Sequence, residues 1–522
     1  MEIFFARASI HKIDRSHFAS LFLALHVFIA PLLFIALLLG IQSHSTVAAV
    51  EANSAALDTR APTSDVAITT FCGACHVFPQ PESFPVSRWR DEVEQGFRIY
   101  GDSGRNDLVP SDVEATVAWF ERHAKPDYDF SGTAMPSQPD RLFKQIKMAP
   151  EPSNVFGCVT HIRSLAPANF LKTDTLMGLV WKTSFDGKNF QREVIGEAAD
   201  PAHAEPTDLD GDGKVDYVVA DLGSFNPAET FRGSLWWFHE TPTGWQRIAL
   251  RLGMSRVCDV RPLDYDGDGD QDLVVAEFGF RFVGSIHLLT NQGLKNGVPQ
   301  FDWKVIDDRN GAVHVPVVDI NQDGKPDIVT LVAQEHEAIE VHLNSGDSTM
   351  VRKQIYQAPD PSYGSSGIDI ADMDGDGDLD ILYTNGDTMD DALGKPFHGI
   401  HWLENTGEYP FKHHSIMNMP GVYRAVAGDI DLDGDMDIAA VALLSQPFMD
   451  TCPDVQFDGI VWLEQDAGKF SKHIIESDRC DWGSCVLNDV DDDGDLDLIS
   501  GHFPSDSQIT RPITVHRNQT KP

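Results

Sequence analysis

A nine-residue acidic pattern, D-x-[DN]-x-D-G-x-x-D, recurs six times in the chain, beginning at Asp208, Asp264, Asp319, Asp372, Asp429 and Asp489. The spacings are 56, 55, 53, 57 and 60 residues. A fixed period near 50 is the mark of a propeller or a similar array, built from units that each bury their faces on their neighbours. Every copy runs into an apolar, strand-like segment, as in Tyr217 to Ala220, Leu273 to Ala276 and Ile381 to Tyr383. A third strand follows in Leu235 to Phe238, Ile286 to Leu289, Ile400 to Leu403 and Ile460 to Leu463. A fourth follows in Phe411 to Ile416 and Phe470 to Ile474. Four strands per unit make a propeller blade.

A seventh unit without an acidic loop precedes the first copy, with strands at Cys158 to Ser164, Gly178 to Trp181 and Phe190 to Ile195. The last unit ends at Thr514 to Arg517 and lacks a fourth strand, which Arg141 to Lys147 can supply. Joining the two ends in one blade closes the ring and removes exposed edges. The expected fold is mainly β: a seven-bladed β-propeller over 141–519, preceded by a small helical domain.

The loops have the chemistry of a hard-cation site. Carboxylates at positions 1, 3, 5 and 9 and the carbonyl of position 7 offer oxygens to one ion, and Gly at position 6 permits the sharp turn. The first loop offers Asp208, Asp210, Asp212, Lys214 by its carbonyl, and Asp216. The second offers Asp264, Asp266, Asp268, Asp270 and Asp272; the third Asp319, Asn321, Asp323, Lys325 and Asp327. The fourth offers Asp372, Asp374, Asp376, Asp378 and Asp380; the fifth Asp429, Asp431, Asp433, Asp435 and Asp437; the sixth Asp489, Asp491, Asp493, Asp495 and Asp497. Up to six Ca²⁺ are expected. They would offset part of the formal charge of -40. That charge also argues against nucleic acid as a partner.

Near the N-terminus, Cys72-Gly73-Ala74-Cys75-His76 is a CxxCH sequence. Two thiols at this spacing can add to haem vinyl groups, and the adjacent imidazole can ligate iron. No second CxxC completes a zinc set. Ser87 to Tyr100 and Ser111 to His123 read as helices, so 68–130 is expected to be a cytochrome-c-like domain holding one covalent haem c. The sixth ligand is open among Met135, in Gly132-Thr133-Ala134-Met135-Pro136, His123, Met148 and no protein ligand at all; Met135 is preferred.

The repeats resemble the FG-GAP/VCBS type of integrin α-chain heads and bacterial surface proteins. With CGACH followed by Trp89, Gln334-Glu335-His336-Glu337, Asn385-Gly386-Asp387 and His398-Gly399, the whole is similar to exported, planctomycete-type proteins that join a cytochrome-c-like segment to such a propeller. That family carries a Met about seven residues after the Trp, where Gly96 stands here. The resemblance implies haem and calcium, and no particular reaction.

Arg7, Lys12 and Arg15 precede an apolar run from Phe18 to Ile41, with Ala48, Ala49 and Ala52 after it. Residues 1–50 therefore read as a signal peptide or membrane anchor, and 51–67 as a linker. A periplasmic or cell-surface location follows, with anchoring to the inner membrane one form of it.

Counting back from the first Asp of each loop, positions three and five are often polar: Glu205 and His203, Arg261 and Asp259, His314, Asp369, Arg424, Ser484. Alternation puts these on one face, which lines a propeller's channel. A second polar group follows the next strand: Glu277, Gln334, His336, Glu337, Asn385, Asp387 and His502. Arg261, Arg424, His203 and His314 could form a polar small-molecule or oxyanion site; the alternative is a hydrated channel with no ligand. No Ser-His-Asp order, phosphate loop or dinucleotide fingerprint is visible, and no catalytic residue is assigned. Electron transfer to a redox partner protein or small molecule, coupled to binding, is the leading expectation. A propeller oxidoreductase using the haem as acceptor, and a surface adhesion module, are the alternatives. Cys452 and Cys480 are a candidate disulfide.

Overall fold

The computed structural model describes residues 63–133, 135–146, 157–186, 189–346, 349–503 and 512–521. The expected export segment and Met148 lie outside these. Among the described residues no helix is long and apolar enough to cross a membrane.

Seven antiparallel sheets follow one another, and they define blades one to seven. Blade one runs from Val159–Ala166 to Phe190–Glu197, and blade two from Pro201–Thr207 to Gly244–Met254. Blade seven consists of Trp482–Asn488, Asp497–His502, Ile513–Asn518 and, as its outermost strand, Phe143–Ile146. Phe143 stands opposite Asn518 and Ile146 opposite Val515, so the two ends of the propeller are zipped into one blade. One strand was not expected. Ser137–Pro139 lies parallel to Lys469–Ser477 on the outside of blade six.

Second strands are buried on both faces, because each blade is covered by a neighbour on either side. Tyr217 to Ala220 are at most 3% exposed, and this is why they read as continuous apolar runs rather than alternating ones. The core is a series of clusters between blades. Trp237 of blade two packs with Val257, Val260, Leu273 and Leu289 of blade three. Each such aliphatic side chain contributes roughly 1.5–3 kcal/mol. In blade four the innermost strand is split into Ala312–His314 and Val317–Val318, with Pro316 between them. Proline has no N–H for the ladder.

Among the described residues three α-helices precede the propeller: α1 (Asp65–Cys72), α2 (Val86–Asp102) and α3 (Val113–His123). Ser64 caps α1 by accepting from Ala67 N, and Asp112 caps α3 by accepting from Ala115 N. Ile68, Phe84, Trp89, Val93, Val117 and Phe120 form their common core. Trp89 stacks on Phe120 at 4.0 Å and donates to the carbonyls of Pro81 and Phe84.

This helical unit docks on one face of the propeller. Asp360, between blades four and five, accepts from Gln80 N and Ser83 Oγ, both at 2.6 Å. Lys395 of blade five lies 4.6 Å over the Phe84 ring, and Leu393 joins the helical core. Phe130 packs edge-on against Phe448 and Phe457 of blade six. These propeller residues lie between second and third strands, or between blades. Acidic loops join first to second strands, so they emerge at the opposite face.

Candidate functional site

The six acidic loops share one backbone. In five of them the position-six amide donates to the first Asp, as Gly213 does to Asp208 at 2.9 Å, Gly377 to Asp372 at 3.0 Å and Gly494 to Asp489 at 2.9 Å. Position six is always Gly in the left-handed region, with φ +82° at Gly213 and +101° at Gly434. Position four is left-handed too. The consensus did not mark it, and Gln322, Leu432 and Asp492 adopt positive φ there.

The ninth-position residues Asp216, Asp272, Asp327, Asp380, Asp437 and Asp497 are at most 2% exposed. Each pins its own loop by accepting the amide of the second position, as Asp497 does from Val490 N at 2.8 Å. From blade three onward each also accepts an amide at the end of the third strand: Asn291, Asn344, Asn405, Gln465 and Asn518. The side chains of the last four reach the preceding blade, as Asn405 Nδ2 does to Ile320 O and Asn518 Nδ2 to Ile430 O. These pins were missed in the sequence, although an Asn or Gln recurs on the third-strand side of every blade from the third onward.

Carboxylate oxygens converge within 4.8 Å of one another in the loops at Asp208, Asp210 and Asp216; Asp264, Asp266 and Asp268; Asp372, Asp374 and Asp380; and Asp429, Asp431 and Asp437. Asp208 Oδ1 and Asp429 Oδ1 are buried with no hydrogen-bond donor. Burial, aided by neighbouring carboxylates, lifts Asp216 and Asp380 to about 6 and Asp437 and Asp497 to about 7. An all-oxygen donor set with orphaned acceptors suits a hard cation. Two loops bring partly covering cations of their own: Lys214 reaches Asp212 at 2.5 Å, and Lys325 reaches Asp323 at 3.4 Å. The sixth loop differs most. Arg517, on the third strand of its blade, pairs with Asp491 and, at 3.0 Å, with Asp493.

At the other site, Cys72 ends α1. Gly73 N closes the helix on Thr69 O at 3.0 Å, and the chain turns through Cys75 to His76. Cys72 packs into the helical core, and burial, with Cys75 nearby, pushes its thiol up to about 11. Cys75 is exposed, with Arg105 Nη1 2.9 Å from its sulfur. His76 Nδ1 lies 2.7 Å from Val77 O. A carbonyl only accepts, so the proton is on Nδ1 and the Nε2 lone pair is free for a metal. His123 is arranged likewise, with Nδ1 2.7 Å from Trp119 O. Met135 packs instead against the apolar cluster of blade six, with Phe448 and Phe457, and does not join the cluster around Cys72. All seven cysteines are free, which corrects the disulfide expected for Cys452 and Cys480; both pack on that blade-six cluster as thiols.

Polar positions of the innermost strands do meet in the channel. His203 Nε2 is 2.8 Å from Glu205 Oε1 and 3.2 Å from Asp259 Oδ1. Arg261 reaches Glu205 at 2.7 Å and Asp259 at 3.0 Å, and Arg163 reaches Glu205 at 3.3 Å. Arg424 donates to His314 Nε2 at 2.9 Å, which puts the His314 proton on Nδ1, 3.6 Å from Asp259 Oδ2. Burial raises the Asp259 carboxyl, but Arg261, His203 and His314 outweigh it and hold the group well below its usual range. Burial pushes His314 down to about 4, with Arg424 adding to the effect. Of the residues named for a polar small-molecule or oxyanion site, Arg261 is matched by Glu205 and Asp259, Arg424 is bonded to the His314 imidazole, and His203 stands between two carboxylates.

Of the second polar group, Glu277 is held by three donors. It accepts from Ser255 N, from Ser285 Oγ at 2.9 Å, and from His287 Nε2 at 2.9 Å. Burial alone would raise it, but these donors bring it down to about 2. A depressed carboxylate stabilises the fold above its ordinary pKa of 4.5, and the contribution is lost as pH falls toward 2. Glu277→Gln should cost about 1.5–3 kcal/mol at pH 7. In urea titrations the gap between wild type and variant should narrow steadily at pH 3; an equal gap at both would contradict this account.

The FG-GAP-like repeat family matches residues 208–275, 264–330 and 319–383. The loops at Asp429 and Asp489 lie beyond that match and repeat its geometry. Comparison with curated proteins gives no match. Among solved structures, the chain is similar to a catalytically inactive virginiamycin B lyase from Staphylococcus aureus with quinupristin, at 12% identity and a TM-score of 0.44, over 72% of this chain and 98% of that one. The repeats and the ring of sheets together support a propeller interaction module. The chain is a mainly β protein whose body is a seven-bladed β-propeller carrying FG-GAP-like repeats of the kind that fits an integrin-α-like propeller.

Proposed function

We propose that this is an exported c-type haem protein in which a calcium-stabilised propeller binds a partner or small molecule and the haem passes electrons to or from it. The observation that carries the reading is the turn at Cys72–His76. Two free thiols stand at helix-end spacing, and the adjacent imidazole has its Nδ1 proton committed to Val77 O, so Nε2 is free. Cys72 and Cys75 would hold the group through thioether bonds, and His76 would ligate its iron. When bound, a haem supplies one-electron redox chemistry.

The surroundings support transfer toward the propeller. Phe78, two residues after His76, stacks near Phe120 at 5.7 Å; Phe120 stacks on Trp89, and Trp89 meets Phe84 at 5.4 Å. Phe84 carries Lys395 of blade five on its face. The acidic loops, on the opposite face, are proposed to hold Ca²⁺ at up to six sites. The loop at Asp489 should be the weakest, because Arg517 already neutralises two of its ligands.

Packing of Met135 on blade six supports an iron whose sixth position does not depend on it. A redox titration of the haem-loaded full chain tests both points. A reversible one-electron wave is expected, with the same midpoint in Met135→Ala. Thioether ligation favours the ferrous state, so a marked fall in the variant would show that Met135 reaches the iron. Absence of any reversible wave in the wild type would end the electron-transfer reading.

A further inference from the structure

One group in the channel is not accounted for by the ion-pair network. His161, on the innermost strand of blade one, stacks on His203 of blade two at 3.6 Å between ring centroids. Its Nδ1 is buried with no hydrogen-bond partner. A buried polar atom left bare in this way calls for a ligand. One donor atom from each of His161, His203 and Glu205 lies within 4.8 Å of the others. We infer that the channel holds one transition-metal ion of the zinc–copper class, bound by His161, His203 and Glu205.

The donor set decides the class. Two imidazoles and one carboxylate suit zinc or copper, whereas the acidic loops offer only oxygen and suit calcium. His203 Nε2 and Glu205 Oε1 are hydrogen-bonded at 2.8 Å, and on binding they would release the shared proton and part to the spacing of about 3.4 Å that two ligands take around a tetrahedral ion with bonds of about 2.1 Å. Arg261 and Arg163 do not compete for the whole carboxylate. Arg261 Nη1 donates to Oε1 at 2.7 Å and Arg163 lies 3.3 Å from Oε2, and the roughly four lone-pair sites of a carboxylate leave one on each oxygen beside them. They orient Glu205 as an outer shell orients a metal ligand. Asp259, against His203 and Arg261, adds the charge that offsets one of the guanidiniums.

The test uses the full chain, stripped of transition metals and then saturated with calcium so that the acidic loops are filled. Cobalt(II) is titrated in and followed by visible absorption. One equivalent should give the absorption of a four- or five-coordinate site, displaced by zinc, lost in His161→Gln and in Glu205→Gln, and kept in His413→Gln, which alters the separate His401–His413 pair. Copper(II) loaded into the wild type should show two imidazole nitrogens by pulsed electron paramagnetic resonance, a readout that needs no variant to fold. Oxygen-only coupling, or a cobalt spectrum unchanged in His161→Gln, would overturn the assignment.

Discussion

Removing calcium should lower the melting temperature of the protein by on the order of 20 °C, because ligands that bind only the folded state stabilise it by RT ln(1 + [L]/Kd), about 2.7 kcal/mol per site at a hundredfold excess over Kd. Several such sites together rival the whole stability of an ordinary domain, about 5–15 kcal/mol. The geometry says why the effect should be global. Each buried ninth-position Asp is at once a candidate ligand and a pin between its own loop and the third strand, as Asp437 is between Ile430 N and Gln465 N. Gln465 in turn reaches Met373 O of the preceding blade. Without a cation, carboxylates such as Asp208 and Asp429 keep buried oxygens that nothing donates to. Scanning calorimetry with calcium and with chelator checks this. A melting curve unchanged after bound metal is shown to be gone would refute the calcium reading. The loop at Asp489 supplies a finer measure. Arg517→Gln should tighten binding there by freeing Asp491 and Asp493, while weakening the metal-free protein.

Much of this architecture was legible because its residues have narrow chemical duties. A period near 55 with Asp at positions 1, 3, 5 and 9 leaves few folds, and the polar positions before each loop follow from strand alternation alone. What alternation gives is a face, not a partner. It placed Arg261 in the channel but could not reveal that Glu205, one blade away, would take its charge. His161 escaped for a related reason. Blade one has no acidic loop from which to count back, so its channel residue had no marker. Met135 drew attention because Gly132 to Pro136 looks like a ligand loop, yet an apolar side chain beside Phe448 and Phe457 has a packing role available. Ser137–Pro139 was invisible because all three residues are exposed and carry no apolar pattern. The docking of the helical unit was illegible too, since it rests on single polar contacts such as Asp360 with Gln80 and Ser83, which no periodicity encodes.

The second large effect concerns Cys72 and Cys75. Protein made in an export-competent host with haem-attachment machinery should carry one covalent haem, seen as a single adduct by mass spectrometry of the mature chain and retained through acid–acetone extraction. Replacing both cysteines by Ala should abolish the adduct entirely, since no other pair of thiols has this spacing beside a histidine. The structure lets a specific attachment defect be told from unfolding. Cys75 is exposed, and Cys72 sits at the last position of α1, where Ala is a good helix former. The helical core is built from Ile68, Trp89, Val117 and Phe120, and Cys72 only packs against its edge. The double variant should therefore keep its far-ultraviolet dichroism and its calcium-dependent melting while losing all haem absorbance. His76→Ala should behave differently. The thioethers can still form, so the adduct mass should persist, but the low-spin spectrum expected of an imidazole-ligated iron should be lost. An adduct that survives in the double variant, or a wild type whose haem washes out in acid–acetone, would refute covalent attachment. Loss of the adduct in the double variant, with the fold intact, would fix the turn at Cys72–His76 as its site.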